Sequence, residues 1–357
     1  MVDHRGVAVR ARRTPAGTPS GVGVVGRGQT ARALFLLLAM VVLAAVAVLS
    51  VAVGSKGIGF GTVLHELFHY DGSNDGVVIR SLRIPRTVLG LAVGAALGLA
   101  GALMQALTRN PLADPGILGV NAGAAAAVVM AIGVLHLQDP SSYVWFALLG
   151  AAVASVLVYV LGSRGRAAAT PVRLALAGAA ISAVLGAFIS GLVLLDQNTF
   201  NDYRFWSVGA LAGRPLSVLY QTGPFLLAGG LLALGLARPL NALALGDDLG
   251  RALGAHLLRT RALGVLAITL LCGAAVAAAG PIGFVGLTVP HMARSLTGPD
   301  QRWVLPYSMV LAPILLLGSD VVGRVIARPG EIEVGIVTAF VGAPVFILLA
   351  RRRVAQL

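Results

Sequence analysis

Long apolar runs separated by short polar stretches set the plan of this chain. They fall at about 33–53, 88–107, 117–136, 143–161, 172–195, 217–236, 262–280, 282–296, 303–322 and 334–350. A helix of roughly 17–25 residues crosses the hydrocarbon core of a bilayer, so the pattern predicts ten membrane helices. The eighth run is the shortest and carries Pro290. An even number of spans puts both termini on one side. Two connections on the opposite side, 54–87 and 196–216, are long enough for structure of their own, as is 237–261 on the side of the termini. No stretch is left for a soluble domain, and no repeat of roughly 20–50 residues is visible. Residues 33–357 therefore read as one all-α membrane domain behind a basic tail, 1–32.

Composition agrees. With 57% hydrophobic and 11% charged residues, this is not a soluble globular protein. The net charge of +13 does not indicate nucleic acid: the chain has one lysine, Lys56, no aromatic-interleaved basic stripe, and arginines placed in loops between apolar runs. Topology explains the charge better. Segments on the side of the termini hold 19 of the 27 lysines and arginines, those on the other side 8, which predicts cytoplasmic termini. The tail at 1–32, rich in Arg, Gly, Pro, Thr and Ser, reads as disordered and cytoplasmic. The run from Ala33 is too long for a cleaved signal peptide. The one cysteine, Cys272, lies inside a run and excludes an intrachain disulfide.

Several local patterns carry more. Gly90, Gly94, Gly98 and Ala102 share one face of the second helix, with Gly101 beside it, and small residues at this spacing let another helix approach closely. In Thr108-Arg-Asn-Pro-Leu-Ala-Asp-Pro115 the prolines stop the helix, while Asn110 and Asp114 are able to satisfy exposed backbone donors. Residues 238–261 contain an amphipathic segment in which Leu243, Leu245, Leu249 and Leu253 line one side and Gly246 and Gly254 bracket a short helix. It suits either the bilayer surface or a groove in a partner. Gly280-Pro-Ile-Gly-Phe-Val-Gly286 is a backbone irregularity at membrane depth, tolerable only where protein covers it. His291 just beyond it is a candidate ligand or, more simply, a hydrogen-bonded structural residue. Arg83, Arg86 and Arg324 lie at helix ends on the side away from the termini, where arginines anchor helices at headgroup level.

Two further readings compete. His65-Glu66-Leu-Phe-His69 matches HExxH, which on a helix places two imidazoles and a general base for zinc hydrolysis. No third ligand beyond Asp71 or Asp75 offers itself, so the plainer reading is an amphipathic surface helix with Leu64, Leu67 and Phe68 turned inward. An ion-driven transporter would need acids inside its spans, and Asp320 is the only one within or at the edge of a span. No Walker A loop is present, so this chain does not itself hold a nucleotide for hydrolysis.

As whole strings, the run from Arg83 to Gly123 ending in TRNPLADPGILGVNAG, together with Arg204-Phe-Trp206, PHMAR at 290–294, Asp300-Gln-Arg-Trp303 and GAPVFILLARR at 342–352, resembles the permease subunits of ABC importers for iron–siderophores and vitamin B12. The resemblance covers the chain from about residue 33 onward. It implies the ten-helix fold of the vitamin B12 permease and one half of a translocation path in the cytoplasmic (inner) membrane. It further implies a second permease subunit, related or identical, two ATPase subunits carrying ATP and Mg, and an external binding protein. The cargo implied is a ferric siderophore of catecholate type, with vitamin B12 or haem as alternatives, and no cofactor resides in this chain. Residue by residue, it makes Leu245, Gly246, Ala252, Leu253 and Gly254 the coupling helix on the ATPase. Arg83, Arg86 and Arg324 become partners of glutamates on the binding protein, and Thr170 belongs to the cytoplasmic gate. Gly90, Gly94 and Gly98 lie on a helix packed through the core beside the path. The basic tail and the outer loops, HELFH included, depart from the family pattern.

Overall fold

The computed structural model describes residues 28–69, 71–137, 139–163, 171–252 and 256–354, and among these no strand occurs. The helices are α1 (Gln29–Ala52), α2 (Phe60–Phe68), α3 (Asn74–Val78), α4 (Ile84–Thr108), α5 (Val120–Gly133), α6 (Pro140–Ser163), α7 (Pro171–Leu195) and α8 (Gln197–Ser207). They continue with α9 (Leu216–Gly235), α10 (Ala237–Ala244), α11 (Asp247–Ala252), α12 (Leu257–Ala279), α13 (Val285–Thr297), α14 (Gln301–Ile326) and α15 (Val334–Val354). Seven are long and apolar enough to cross a membrane: α1, the continuous helix Asn74–Thr108, α6, α7, α9, α12 and α14. The shorter α5 and α13, and α15 with its arginine-bearing end, occupy the other three predicted positions. Two of these are short for local reasons. Ahead of α5 the chain spends Pro115–Leu118 in a tight 3-10 turn closed by Gly119 at φ 72°, and α13 starts only after Phe284, itself at φ 66°. Helix α1 begins at Gln29, inside the expected tail, whose first 27 residues lie outside the described ones.

The second span differs most from its hydropathy. Its apolar run starts near 88, yet the helix begins at Asn74 and passes through a π-helical turn at Ile79–Arg83 into α4. Charge at Arg80, Arg83 and Arg86 breaks the hydropathy without breaking the helix.

Helix α4 is the axis of the bundle, packed against α14, α12, α13, α9 and α1. Of its apolar window 78% is enclosed by protein, against 6% for α7 and 11% for α1, which face outward. Glycine makes this enclosure possible. A Cβ on Gly94 would lie 2.6 Å from Cα of Pro313, one on Gly98 would meet the carbonyl oxygen of Ser308, and one on Gly90 would meet the side chain of Leu317. The stripe is therefore the seat of α14, where backbones approach closely and dispersion replaces the hydrophobic effect that lipid does not supply. Gly101 meets Gly286 of α13 in the same way, and Gly123 of α5 meets Gly150 of α6.

The break at 280–284 is partly covered by protein, with Gly280 and Ile282 buried and Gly283 exposed. Ala210 N donates to the carbonyl of Ala279 at 2.7 Å, and Gly335 N donates to that of Gly209 at 3.1 Å, so the loop after α8 lies over the irregularity. His291 sits half-buried on α13.

Helix α2 carries the HELFH segment with its faces reversed from expectation. Leu64 and Phe68 are exposed, the latter at 76%, and Val63 and Glu66 point inward. The inward turn of Glu66 follows from its partners: Ser73 Oγ donates to its carboxylate at 3.1 Å, and Arg80 donates to its backbone carbonyl at 3.1 and 3.2 Å. The rings of His65 and His69 stack at 5.5 Å. Among the described residues no group of three or more His, Cys, Asp or Glu gathers where a metal ion could be held.

Replacing Gly94 with valine should destabilise the fold by about 1–3 kcal/mol, because the contact it meets is backbone and cannot swing aside. Gly318→Ala, in open space on α14, should leave stability unchanged or slightly raised. Thermal unfolding in detergent separates the two.

Candidate functional site

At the end of the bundle away from the termini, three arginines expected to face outward are buried: Arg83, Arg86 and Arg324 keep 5%, 8% and 1% of their surface. What turns Arg83 and Arg324 inward is the end of α1. The last carbonyls of a helix have no partner within it, and at the rim of an apolar core they must find one. Arg83 donates to the carbonyls of Val51 (3.1 Å), Ala52 (2.7 Å) and Lys56 (2.6 Å). Arg324 donates to those of Ser50 and Val53, both at 2.8 Å, and Arg328 to that of Gly54 at 2.9 Å. Positive charge at a helix C-terminus also complements its dipole.

The charge is balanced by Asp320, which is fully buried on α14. Arg86 Nη2 reaches one carboxylate oxygen at 2.7 Å with Nε at 3.1 and 3.0 Å to both, while Arg324 Nη2 holds the other at 2.8 Å. The remaining Arg86 nitrogen, Nη1, bonds Glu331 at 2.6 Å, and Ser55 donates to the second oxygen of Glu331 at 3.0 Å. Burial pushes the Glu331 carboxyl up, but the Arg86 hydrogen bond and charge outweigh it and hold the group below its ordinary range. A hydroxyl pair, Ser50 and Thr87 at 2.8 Å, closes the cluster. A cavity of about 200 Å³ opens beside it, lined in part by Lys56, Arg83, Arg86, Arg324 and Glu331.

At the other end, α10 and α11 form the segment between α9 and α12. Leu243 is buried in the core, whereas Leu245 and Leu249 are 56% and 61% exposed, so the leucines do not form one face. Gly246 stands between the helices at φ 105°, a conformation that favours glycine. Gly254 and Leu253 lie outside the described residues, as does Thr170. Ala252 ends α11 and is exposed.

This segment is fastened to three spans. Asp247, first residue of α11, pairs with Arg109 at the end of α4 and with Arg261 of α12, whose Nη2 lies 2.9 Å away. Burial raises the Asp247 carboxyl, but hydrogen bonds from Arg261 and then Arg109 win and lower it. Asn241 of α10 donates to Asp300 at 2.6 Å and accepts from the backbone of Gln301 at 2.8 Å, tying α10 to the start of α14. Asp300 is held down at about 2, chiefly by the Arg302 hydrogen bond. Nearby, the turn after α4 is built as its residues suggest, with Asn110 accepting from Leu112 N (2.9 Å) and Asp114 from Gly116 N (2.7 Å).

The hub role of Asp320, and the ties through Asp247, Arg261 and Asn241, were not apparent from the sequence. For Asp320 a signal exists: a lone acid in an apolar run, four residues before Arg324, places the two on one helix face. For Arg109 and Asp247, 138 positions apart, none does.

Compared with known proteins, residues 40–352 match the model of the FecCD transport family. The ferric enterobactin transport system permease protein FepD of Escherichia coli K12 is 47% identical over 318 residues, spanning 89% of this chain and 94% of that one. The Fe(3+)-citrate import system permease protein YfmD of Bacillus subtilis 168 is 42% identical, spanning 91% and 97%. A solved structure described as an inward-facing conformation of a metal-chelate type ABC transporter superposes with a TM-score of 0.80 at 28% identity, covering 90% of this chain and 99% of its own.

Asp320→Asn should cost about 3–5 kcal/mol, since it leaves Arg86 and Arg324 buried without a full counter-charge. Glu331→Gln, at the wetter rim, should cost on the order of 1 kcal/mol. Unfolding temperatures of the two variants in detergent would test that order; equal losses would refute Asp320 as the hub.

Proposed function

Because this chain belongs to the FecCD transport family, it is a multi-pass permease of an ABC importer for iron chelates, and we propose that its cargo is a ferric siderophore of catecholate type. It is not an enzyme, which disposes of the zinc-hydrolase reading; ATP hydrolysis lies in a separate ATPase, and a binding protein delivers cargo. What supports the catecholate reading is the 47% identity to the enterobactin permease over almost its whole length. A ferric citrate permease at 42% identity represents a competing cargo class. In this reading the chain sits in the cytoplasmic membrane with both termini inside, as the arginine bias supports, and pairs with a related second permease as a heterodimer.

Coupling is assigned to α10–α11. Leu245 and Leu249 present an apolar surface able to seat in a groove of the ATPase, with Gly246 and Ala252 beside them, and Leu253 and Gly254, outside the described residues, are proposed to belong to the same coupling element. Movement of that surface would reach α4 and α12 through Asp247 and α14 through Asn241, and so bias the bundle between outward- and inward-open states. Thr170 is proposed to lie at the cytoplasmic gate. Arg83, Arg86 and Arg324 are proposed to shape the docking face for the binding protein by fixing the ends of α1, α4 and α14, since their guanidinium groups are already committed inward.

Cells lacking this chain should lose uptake of radiolabelled ferric catecholate and keep uptake of ferric hydroxamate and ferric citrate. Loss of ferric citrate uptake alone would overturn the catecholate assignment. For coupling, Gly246→Val should reduce uptake at least tenfold while the assembled importer still forms, because valine is strained at that φ. Undiminished uptake by this variant would remove Gly246 from the coupling element.

A further inference from the structure

Among the described residues, four arginines near α10–α11 hold carboxylates. Arg109 and Arg261 hold Asp247, Arg251 pairs with Asp248, and Arg302 pairs with Asp300. Arg238 and Arg259 hold no carboxylate among the described residues, and both are exposed. They line the same cavity, of about 570 Å³, together with His256, Leu231, Leu232 and Leu263. This volume lies within the range of small-ligand pockets, roughly 300–1,000 Å³.

The depth of the lining is decisive. Arg238 is in α10, just past the end of α9, and Arg259 is in the first turn of α12, so the cations ring the mouth. Leu231 and Leu232 lie about a turn inside the end of α9, and Leu263 nearly two turns inside α12, which places the floor at the depth of acyl chains. A basic mouth over an apolar, laterally exposed floor matches a molecule with a phosphate at one end and hydrocarbon at the other. A soluble protein surface would satisfy the mouth but not reach the floor. Basic pockets between membrane helices at this level bind anionic headgroups.

We propose that the cavity between α9, α10 and α12 is a binding site for one anionic diacyl phospholipid. Its phosphate accepts hydrogen bonds from Arg238 and Arg259, and an acyl chain lies along Leu231, Leu232 and Leu263. The cavity shares α10 with the coupling segment, so a lipid seated there braces α10 against α9 and α12. The proposal rests on the orientation given above only in assigning the lipid to the cytoplasmic leaflet.

The test uses the importer assembled with its second permease and ATPase, in phosphatidylcholine vesicles carrying a trace of spin-labelled phosphatidylglycerol in both leaflets. Spin-labelled phosphatidylcholine serves as the reference. The wild type should immobilise the phosphatidylglycerol label about tenfold better than the reference. Arg238→Gln/Arg259→Gln should abolish that preference, and Arg302→Gln should keep it. Both changes remove exposed side chains, and equal unfolding temperatures would establish that the variants fold. A preference that survives the double substitution, or that is absent from the wild type, overturns the site. Binding seen with the permease subunits alone but lost when the ATPase is added also overturns it, in favour of a protein contact. Reduction of the bound label from one side reports the leaflet, so a reversed orientation would show as the wrong leaflet with binding intact.

Discussion

Hydrocarbon cannot solvate a helix end, and that constraint shapes the distal face of this permease. The last carbonyls of α1 are met by guanidinium groups from Arg83 ahead of α4 and Arg324 on α14, and Arg328 beyond α14 meets the carbonyl of Gly54 just past the helix. Each guanidinium brought inward is itself costly, and Asp320 is what makes two of them tolerable. One buried carboxylate thus joins α4 to α14, and through Arg324 joins both to the end of α1. Glu331, held by the same Arg86, anchors the loop between α14 and α15. Ends of spans that would drift independently in lipid become one unit.

What the sequence disclosed follows from the range of the interactions involved. Span positions, the α4 glycine stripe and the turn after Thr108 depend on residues a few positions apart, and each was legible. The direction of Arg83 and Arg86 was not: arginine at a helix end suits either an outward contact or an inward one, and the choice lies with partners such as Asp320, 234 positions from Arg86. The faces of α2 were misread for a similar reason, since a carboxylate turns inward only where Ser73 and the fold around Arg80 receive it. Leu243, Leu245 and Leu249 looked like one side of the segment, but Leu243 is drawn into the core on α10 while Leu245 and Leu249, on either side of the turn at Gly246, stay exposed.

The two ends of the bundle use charge differently. Asp320 and its arginines are enclosed, so they are shielded from salt and rearrange only by breaking a buried network. Asp247 with Arg109 and Arg261 is a third exposed, within reach of water and screening ions. Such a tie holds its geometry without locking it. A segment in the coupling role proposed for α10–α11 is better fastened this way, because exchange of one hydrogen bond for water costs little during a motion.

Between these ends, α4 is held by contacts of another kind. Gly94 and Gly98 seat α14 through backbone apposition, Gly90 receives the side chain of Leu317, and Gly101 seats α13 against the backbone of Gly286. In the last turn of α4, Gln105 donates to the carbonyl of Leu287 at 3.0 Å and accepts from Arg294, which ties α4 to α13. Dispersion at a smooth glycine surface resists separation far more than rotation, because the contact area changes little when one helix turns on the other. An ion pair joins α4 to α14 directly at the distal end, Arg86 with Asp320, whereas at the other end α4 reaches α14 through α11 and α10, by way of Asp247 and Asn241. A displacement of α10–α11, in the coupling role proposed for it, would therefore bear on the α4–α14 contact at the end where the tie between the two helices is indirect.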